Sequence, residues 1–134
     1  MSIPIPTVGT GSCYVRLEYR RQMEIAVVGA TAVVTVADGN VTDARVAITA
    51  LAPTIRRVPE AEQALVGTDG GEAAIATAAA ATAAASAPIS DVRGSADYRS
   101  AMAEVIARRA ITGALIRARG GAVEIPASQA TFGD

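Results

Sequence analysis

One change of period constrains this chain more than any other feature. Residues 25–52, IAVVGATAVVTVADGNVTDARVAITALA, are rich in β-branched side chains and split by DGN, whereas the sequence after Pro53 runs on helical spacing and alanine. Gly, Asn and Asp between two β-branched runs signal a tight hairpin, because they accept the positive φ such a turn demands. Residues 25–37 and 41–51 are therefore expected to pair as antiparallel strands. Gly29, inside the first of them, marks a bulge or a place where something approaches the backbone closely. SCYVRLEYR at 12–20 is a third strand candidate, with Tyr14, Arg16 and Glu18 on one face and Cys13, Val15, Leu17 and Tyr19 on the other.

Past Pro53 the signals are helical. VPEAEQALVG (58–67) places a proline and acids in a first turn and closes on Gly67. GEAAIATAAAATAAASA (71–87) is helical by propensity and is stopped by Pro88. From Ser95 to about Arg119 the spacing predicts a long amphipathic helix with Tyr98, Met102, Val105, Ile106, Ala110 and Gly113 on its apolar face, ended by Gly120–Gly121. Residues 1–11 read as a Pro/Gly linker and 120–134 as a flexible or docking tail, leaving 12–119 as the folded domain. Strands first and helices afterwards imply an α+β fold, a three-stranded antiparallel sheet with helices packed on one face.

Composition narrows the chemistry. At 134 residues the chain suits one domain, and with Tyr14, Tyr19, Tyr98 and Phe132 as its only aromatics, its core must be Val, Ile, Leu and Ala in closely spaced layers. A net charge of −1 creates no general pull toward nucleic acid or anionic lipid. With no histidine and Cys13 as the sole cysteine, there is no disulfide framework, no Ser–His or Cys–His nucleophile and no metal-ligand cluster. Cys13 reads as a small buried residue. The start, MSIPIPTVGTGS, has neither the basic region nor the apolar run of a signal peptide, and the apolar window 73–87 is too short to span a bilayer. A soluble, cytoplasmic domain is expected.

The densest polar stretch is PISDVRGSADYR, 88–99. Much of it is punctuation: Pro88 stops a helix, Ser90 or Asp91 can cap a turn, Gly94 breaks the chain, and Ser95 N-caps the next helix with Asp97 in its first turn. Capping does not account for Arg93, Tyr98 and Arg99. Those three either brace this junction, internally or at an interface, or clamp a carboxylate or phosphate. Residues 93–119 carry six arginines against two acids, but without interleaved aromatics they read as a solvated or partner-facing helix rather than a nucleic-acid surface.

Three segments, GSCYVRLEYRRQMEIAVVGATAVVTV, VTDARVAITALAPTIRRVPEAEQALVG and PISDVRGSADYRSAMAEVIARRA, occur in this order across about residues 3–118. Together they resemble the C-terminal domain of the FAD-binding medium subunit of molybdenum hydroxylases, of the aerobic carbon monoxide dehydrogenase type, with relatives in the xanthine dehydrogenase group. The resemblance implies three antiparallel strands plus helices, an oxidoreductase complex, and FAD shared with an N-terminal FAD-binding portion or chain. It also implies a small subunit with 2Fe-2S clusters and a large subunit with the molybdenum cofactor as partners. Tyr14 matches the family aromatic near the isoalloxazine, and Arg16 stands where the family usually has lysine, so both are candidate FAD contacts; ordinary strand packing is the alternative for each. Asp91, Arg93, Gly94, Tyr98 and Arg99 match a DxRGSxxYR signature taken as structural and subunit-docking. GTGS at 9–12 precedes a strand, not a helix, so it is no phosphate cradle. Two functions follow: a piece of a flavin-dependent electron-transfer enzyme that is not catalytic alone, or an assembly module that never touches flavin.

Overall fold

The computed structural model describes residues 3–20 and 23–124. Its elements are β1 (Thr10–Leu17), β2 (Val28–Ala37), β3 (Asn40–Thr49), the two-residue β4 (Arg56–Arg57), α1 (Pro59–Leu65), α2 (Glu72–Ala84) and α3 (Ala96–Ala118). The strands form one antiparallel sheet in chain order. The three long strands are those expected, although β1 opens two residues early and both β1 and β2 stop short of the turn between them. The Val27 N–H bonds to the Leu17 carbonyl and closes the ladder there. Residues 21 and 22, between β1 and β2, lie outside the described residues. The hairpin turns on Asp38 (φ 50°) and Gly39 (φ 82°), both left-handed, as a two-residue turn requires.

Side chains alternate along each strand, and one face of the sheet is closed by helices. Cys13 and Val15 of β1, Ala30, Ala32 and Val34 of β2, and Ala44, Val46 and Ile48 of β3 are buried there. Helix α3 lies across β1 and β2, and α1 packs against β3. Its buried face, Ala103, Ile106, Ala107, Ala110, Ile111, Ala114 and Ala118, is mostly alanine, which lets the helix axis approach the strands. The approach is closest at Gly11, where a Cβ would strike the Ala114 carbonyl and the Ala118 amide. The expected apolar face of this helix is therefore rotated. Ile106, Ala110 and Gly113 are buried, Met102 and Val105 sit on its margin, and Tyr98 stays 43% exposed. Tyr98 lies in the first turn of α3, where its ring packs against Gly94 of the preceding turn.

The sheet's far edge is closed by a side chain. Glu62 of α1 is buried, and its Oε1 accepts the Val46 N–H at 3.0 Å. Arg57 donates to the same carboxylate from Nε (2.9 Å) and from NH2 (2.6 Å). Burial alone pushes the Glu62 carboxyl up. The Arg57 guanidinium and the Val46 N–H outweigh it and hold the group below the ordinary carboxylate range. Cys13 is buried, and that burial pushes its thiol up against the opposing charge of Arg117.

Candidate functional site

Among the described residues the opposite face of the sheet carries no helix. Register places Ser12, Val33 and Arg45 in one row, Tyr14, Thr31 and Ala47 in the next, and Arg16, Gly29 and Thr49 in the last. Apart from Tyr14 and the arginines these are small, so the face is shallow. Tyr14 stands up from it and stays 45% exposed. Its ring leans diagonally from its own row onto Gly29: a Cβ there would lie 2.9 Å from the tyrosine oxygen and 3.2 Å from Cε2. The close backbone approach expected at Gly29 is thus made by an aromatic ring. No bulge occurs at Gly29; the register slips further along, between Thr35 and Val36. Arg16 lies beside Tyr14, with its NH2 2.5 Å from Glu18 Oε2.

The 88–99 segment folds into a brace at the start of α3. Asp91 and Gly94 exchange backbone hydrogen bonds around a tight turn. Asp91 Oδ1 accepts from the Arg93 N–H (2.7 Å) and from Arg99 NH2 (2.5 Å). The Arg93 N–H, then the Arg99 guanidinium, hold the Asp91 carboxyl low against the opposing effect of desolvation. Arg99 is only 5% exposed, although arginine usually stays in water. Ser95 accepts the Tyr98 N–H as an N-cap, and Ser90 accepts the Ala96 N–H. Gly94 leaves room for the Tyr98 ring, 3.3 Å from where its Cβ would stand.

Tyr19 joins the two regions. Its hydroxyl donates to the Arg93 carbonyl, tying the turn after β1 to the brace. Tyr19 had no assigned role in the sequence, because a tyrosine at a strand end reads equally as packing. Around this link the loops at one end of the sheet display Tyr19, Met23, Ile25, Ile55, Ile89 and Val92, all exposed. These loops follow β1 and β3, precede β2, and lead into α3, so the exposed apolar side chains share one end with Tyr14 and Arg16. Along α3 three further arginines work as staples: Arg108 pairs with Glu72, Arg117 donates to the Ser12 and Val123 carbonyls, and Arg119 to the Asp69 carbonyl.

A family model described as CO dehydrogenase flavoprotein C-terminal domain matches residues 14–114. The chain belongs to this family. The carbon monoxide dehydrogenase medium chain of Afipia carboxidovorans is 38% identical over 117 residues, covering 87% of this chain and 40% of that protein. The nicotine 6-hydroxylase medium subunit of Paenarthrobacter nicotinovorans is 33% identical over 92 residues, 69% of this chain and 32% of its own length. Among solved structures, carbon monoxide dehydrogenase from Hydrogenophaga pseudoflava superposes with a TM-score of 0.82 at 37% identity, covering 86% of this chain and 40% of that one. The chain thus spans about two fifths of the length of the first relatives it matches. The open face of this flavoprotein C-terminal domain offers one half-exposed aromatic ring, Tyr14, and two guanidiniums, Arg16 and Arg45, while the glycines at 9 and 11 lead into a strand rather than a helix N-terminus. Among the described residues no group of acids and cysteine is placed to hold a metal, and no helix is long and apolar enough to cross a membrane.

Proposed function

We propose that the open face forms one wall of an FAD site, completed by an N-terminal FAD-binding portion, within the medium subunit of a molybdenum hydroxylase of the carbon monoxide dehydrogenase type. The observation that carries this is the half-exposed Tyr14 ring, set beside Arg16 on an otherwise shallow face bare of helices. One side of the ring rests on the strand, and the other is free to stack on or shield a planar heterocycle. Arg16 supplies positive charge next to it, although Glu18 already holds part of its fork. When bound, FAD would supply the electron exchange between iron–sulfur clusters on a small subunit and an external acceptor, with substrate oxidised at molybdenum on a large subunit. The exposed apolar end, from Tyr19 to Val92, gives the FAD-binding portion a surface to dock on, continuous with Tyr14.

The test is reconstitution. Purified alone the chain is expected to be colourless. With the complementary FAD-binding polypeptide supplied, flavin should be retained, and Tyr14→Ala should change its absorbance or slow its reoxidation. Strong FAD binding by the isolated chain would refute the shared site. The engagement of Arg16 by Glu18 favours a second reading, an assembly module that makes no flavin contact. Under that reading Tyr14→Ala leaves flavin untouched, while Met23→Asp or Val92→Asp abolishes association.

A further inference from the structure

We propose that Gly29, with Thr49 opposite it, is a positioning residue that sets the height and tilt of the Tyr14 ring; this rests on the reading of Tyr14 as a flavin contact. The space a side chain would occupy at Gly29 is already claimed from two sides. The Thr49 hydroxyl reaches closest, to 2.4 Å from β3, and the Tyr14 hydroxyl and Cε2 border it at 2.9 and 3.2 Å. The Thr49 Oγ1 is buried and without a hydrogen-bond partner, so packing beneath the ring rather than a bond holds it there. Gly29 is in the central strand, paired to Arg16 on one side and Thr49 on the other, with an ordinary extended φ. Neither a turn nor a bulge calls for glycine there. In a strand interior glycine forgoes backbone restraint and side-chain packing. The residue is therefore suboptimal for the sheet by propensity, and the Thr49 hydroxyl and the Tyr14 ring are what its missing side chain makes room for.

The double variant separates a positioning role from a structural one. A Cβ at Gly29 would lie 2.4 Å from the buried Thr49 hydroxyl, so Gly29→Ala and Gly29→Val should each lower the melting temperature of the 134-residue chain, valine more, and Gly29→Ala combined with Thr49→Ala should return it toward wild type. Both should shift the ring resonances of Tyr14, valine more than alanine, and leave those of Tyr98 in place. Adding Thr49→Ala to Gly29→Ala vacates the other claim on the space and should return the Tyr14 resonances toward wild type. In the complex with the FAD-binding polypeptide, Gly29→Val should lower flavin retention to the level of Tyr14→Ala. Unshifted Tyr14 resonances in a folded Gly29→Val chain would overturn the proposal. So would wild-type flavin retention in that variant where Tyr14→Ala loses it, and the flavin reading would then stand. Flavin indifferent to Tyr14→Ala removes the flavin reading itself, and this proposal with it.

Discussion

The two faces of the sheet are made from the same strands and differ in almost everything else. On the closed face, small apolar residues meet an alanine-rich helix at a distance that Gly11 cannot exceed by one methyl group. On the open face, apart from two arginines, the side chains are also small, and a tyrosine ring rather than a helix lies on Gly29. Glycine is used on both for the same physical reason, close approach, and with opposite consequences. Gly11 brings the fold together, whereas Gly29 lowers a ring that the fold does not need. Away from the crowded Gly29–Thr49 pair, substitutions should therefore separate into stability effects on one face and partner or cofactor effects on the other.

The largest stability losses belong to the closed face. Ile106→Ala should cost about 2–5 kcal/mol, as for other fully buried aliphatic truncations. Gly11→Val should cost at least as much as typical overpacking, about 1–3 kcal/mol, because the clash is with helix backbone rather than a movable side chain. Denaturant unfolding measures both. If Gly11→Val matches wild type, α3 does not sit on β1 as described, and the contrast between the faces fails.

Next comes the edge that Glu62 closes. Glu62→Ala strands a buried Val46 N–H and should cost about 1–3 kcal/mol. The pH dependence has a definite sign. The folded carboxyl titrates below its unfolded value, so its stabilisation is complete above the ordinary glutamate pKa, about 4.3, and is lost as pH falls through the lower folded value. Melting temperature followed from neutral pH down through this window should fall less steeply in Glu62→Gln than in wild type. Equal slopes would show that Glu62 carries no such linkage.

The start of α3 sharpens the comparison, since it belongs to neither face. Arg99→Met should lower the melting temperature more than Tyr98→Ala, because Arg99 is buried against Asp91 whereas Tyr98 is nearly half exposed. That order reverses what helical spacing suggests. Period 3.6 places Tyr98 with Ile106 and Ala110, but spacing does not record that the first turn of the helix packs on the Asp91–Gly94 turn. Nor does it show that Asp91, eight residues upstream, returns to hold an arginine that would otherwise read as surface. Much of the fold was legible because alternation along 12–17 and the DGN turn are local signals that the tertiary structure upholds. β4 was not, because Arg56–Arg57 has no pattern of its own; its pairing with Ile48 and Ala47 of β3 is flanked by a Val58 N–H and a Glu62 carboxylate that bond Val46 from later sequence. At the candidate site, Tyr14 and Arg16 were legible as neighbours two apart on one strand face. Their relation to Gly29, Thr49 and Tyr19 depends on strand register and loop closure, which spacing does not encode.

The smallest effect gives the most discriminating test, because it changes only the face. Val33 and Val34 are adjacent in β2; Val34 is fully buried under the helices, and Val33 is partly exposed on the open side. Val→Thr conserves shape and adds one hydroxyl. At Val34 that hydroxyl has only apolar neighbours within the core, so the change should cost about 1–3 kcal/mol, the usual penalty for an unpaired buried polar group. At Val33 it faces the shallow open side between Ser12 and Arg45, and threonine suits a strand as well as valine does. Val33→Thr should therefore fall within about 0.5 kcal/mol of wild type in denaturant unfolding of the isolated chain. A cost at Val33 equal to that at Val34 would mean that the open face is covered in the isolated chain, for instance by self-association, and so is not a free surface for a cofactor or partner.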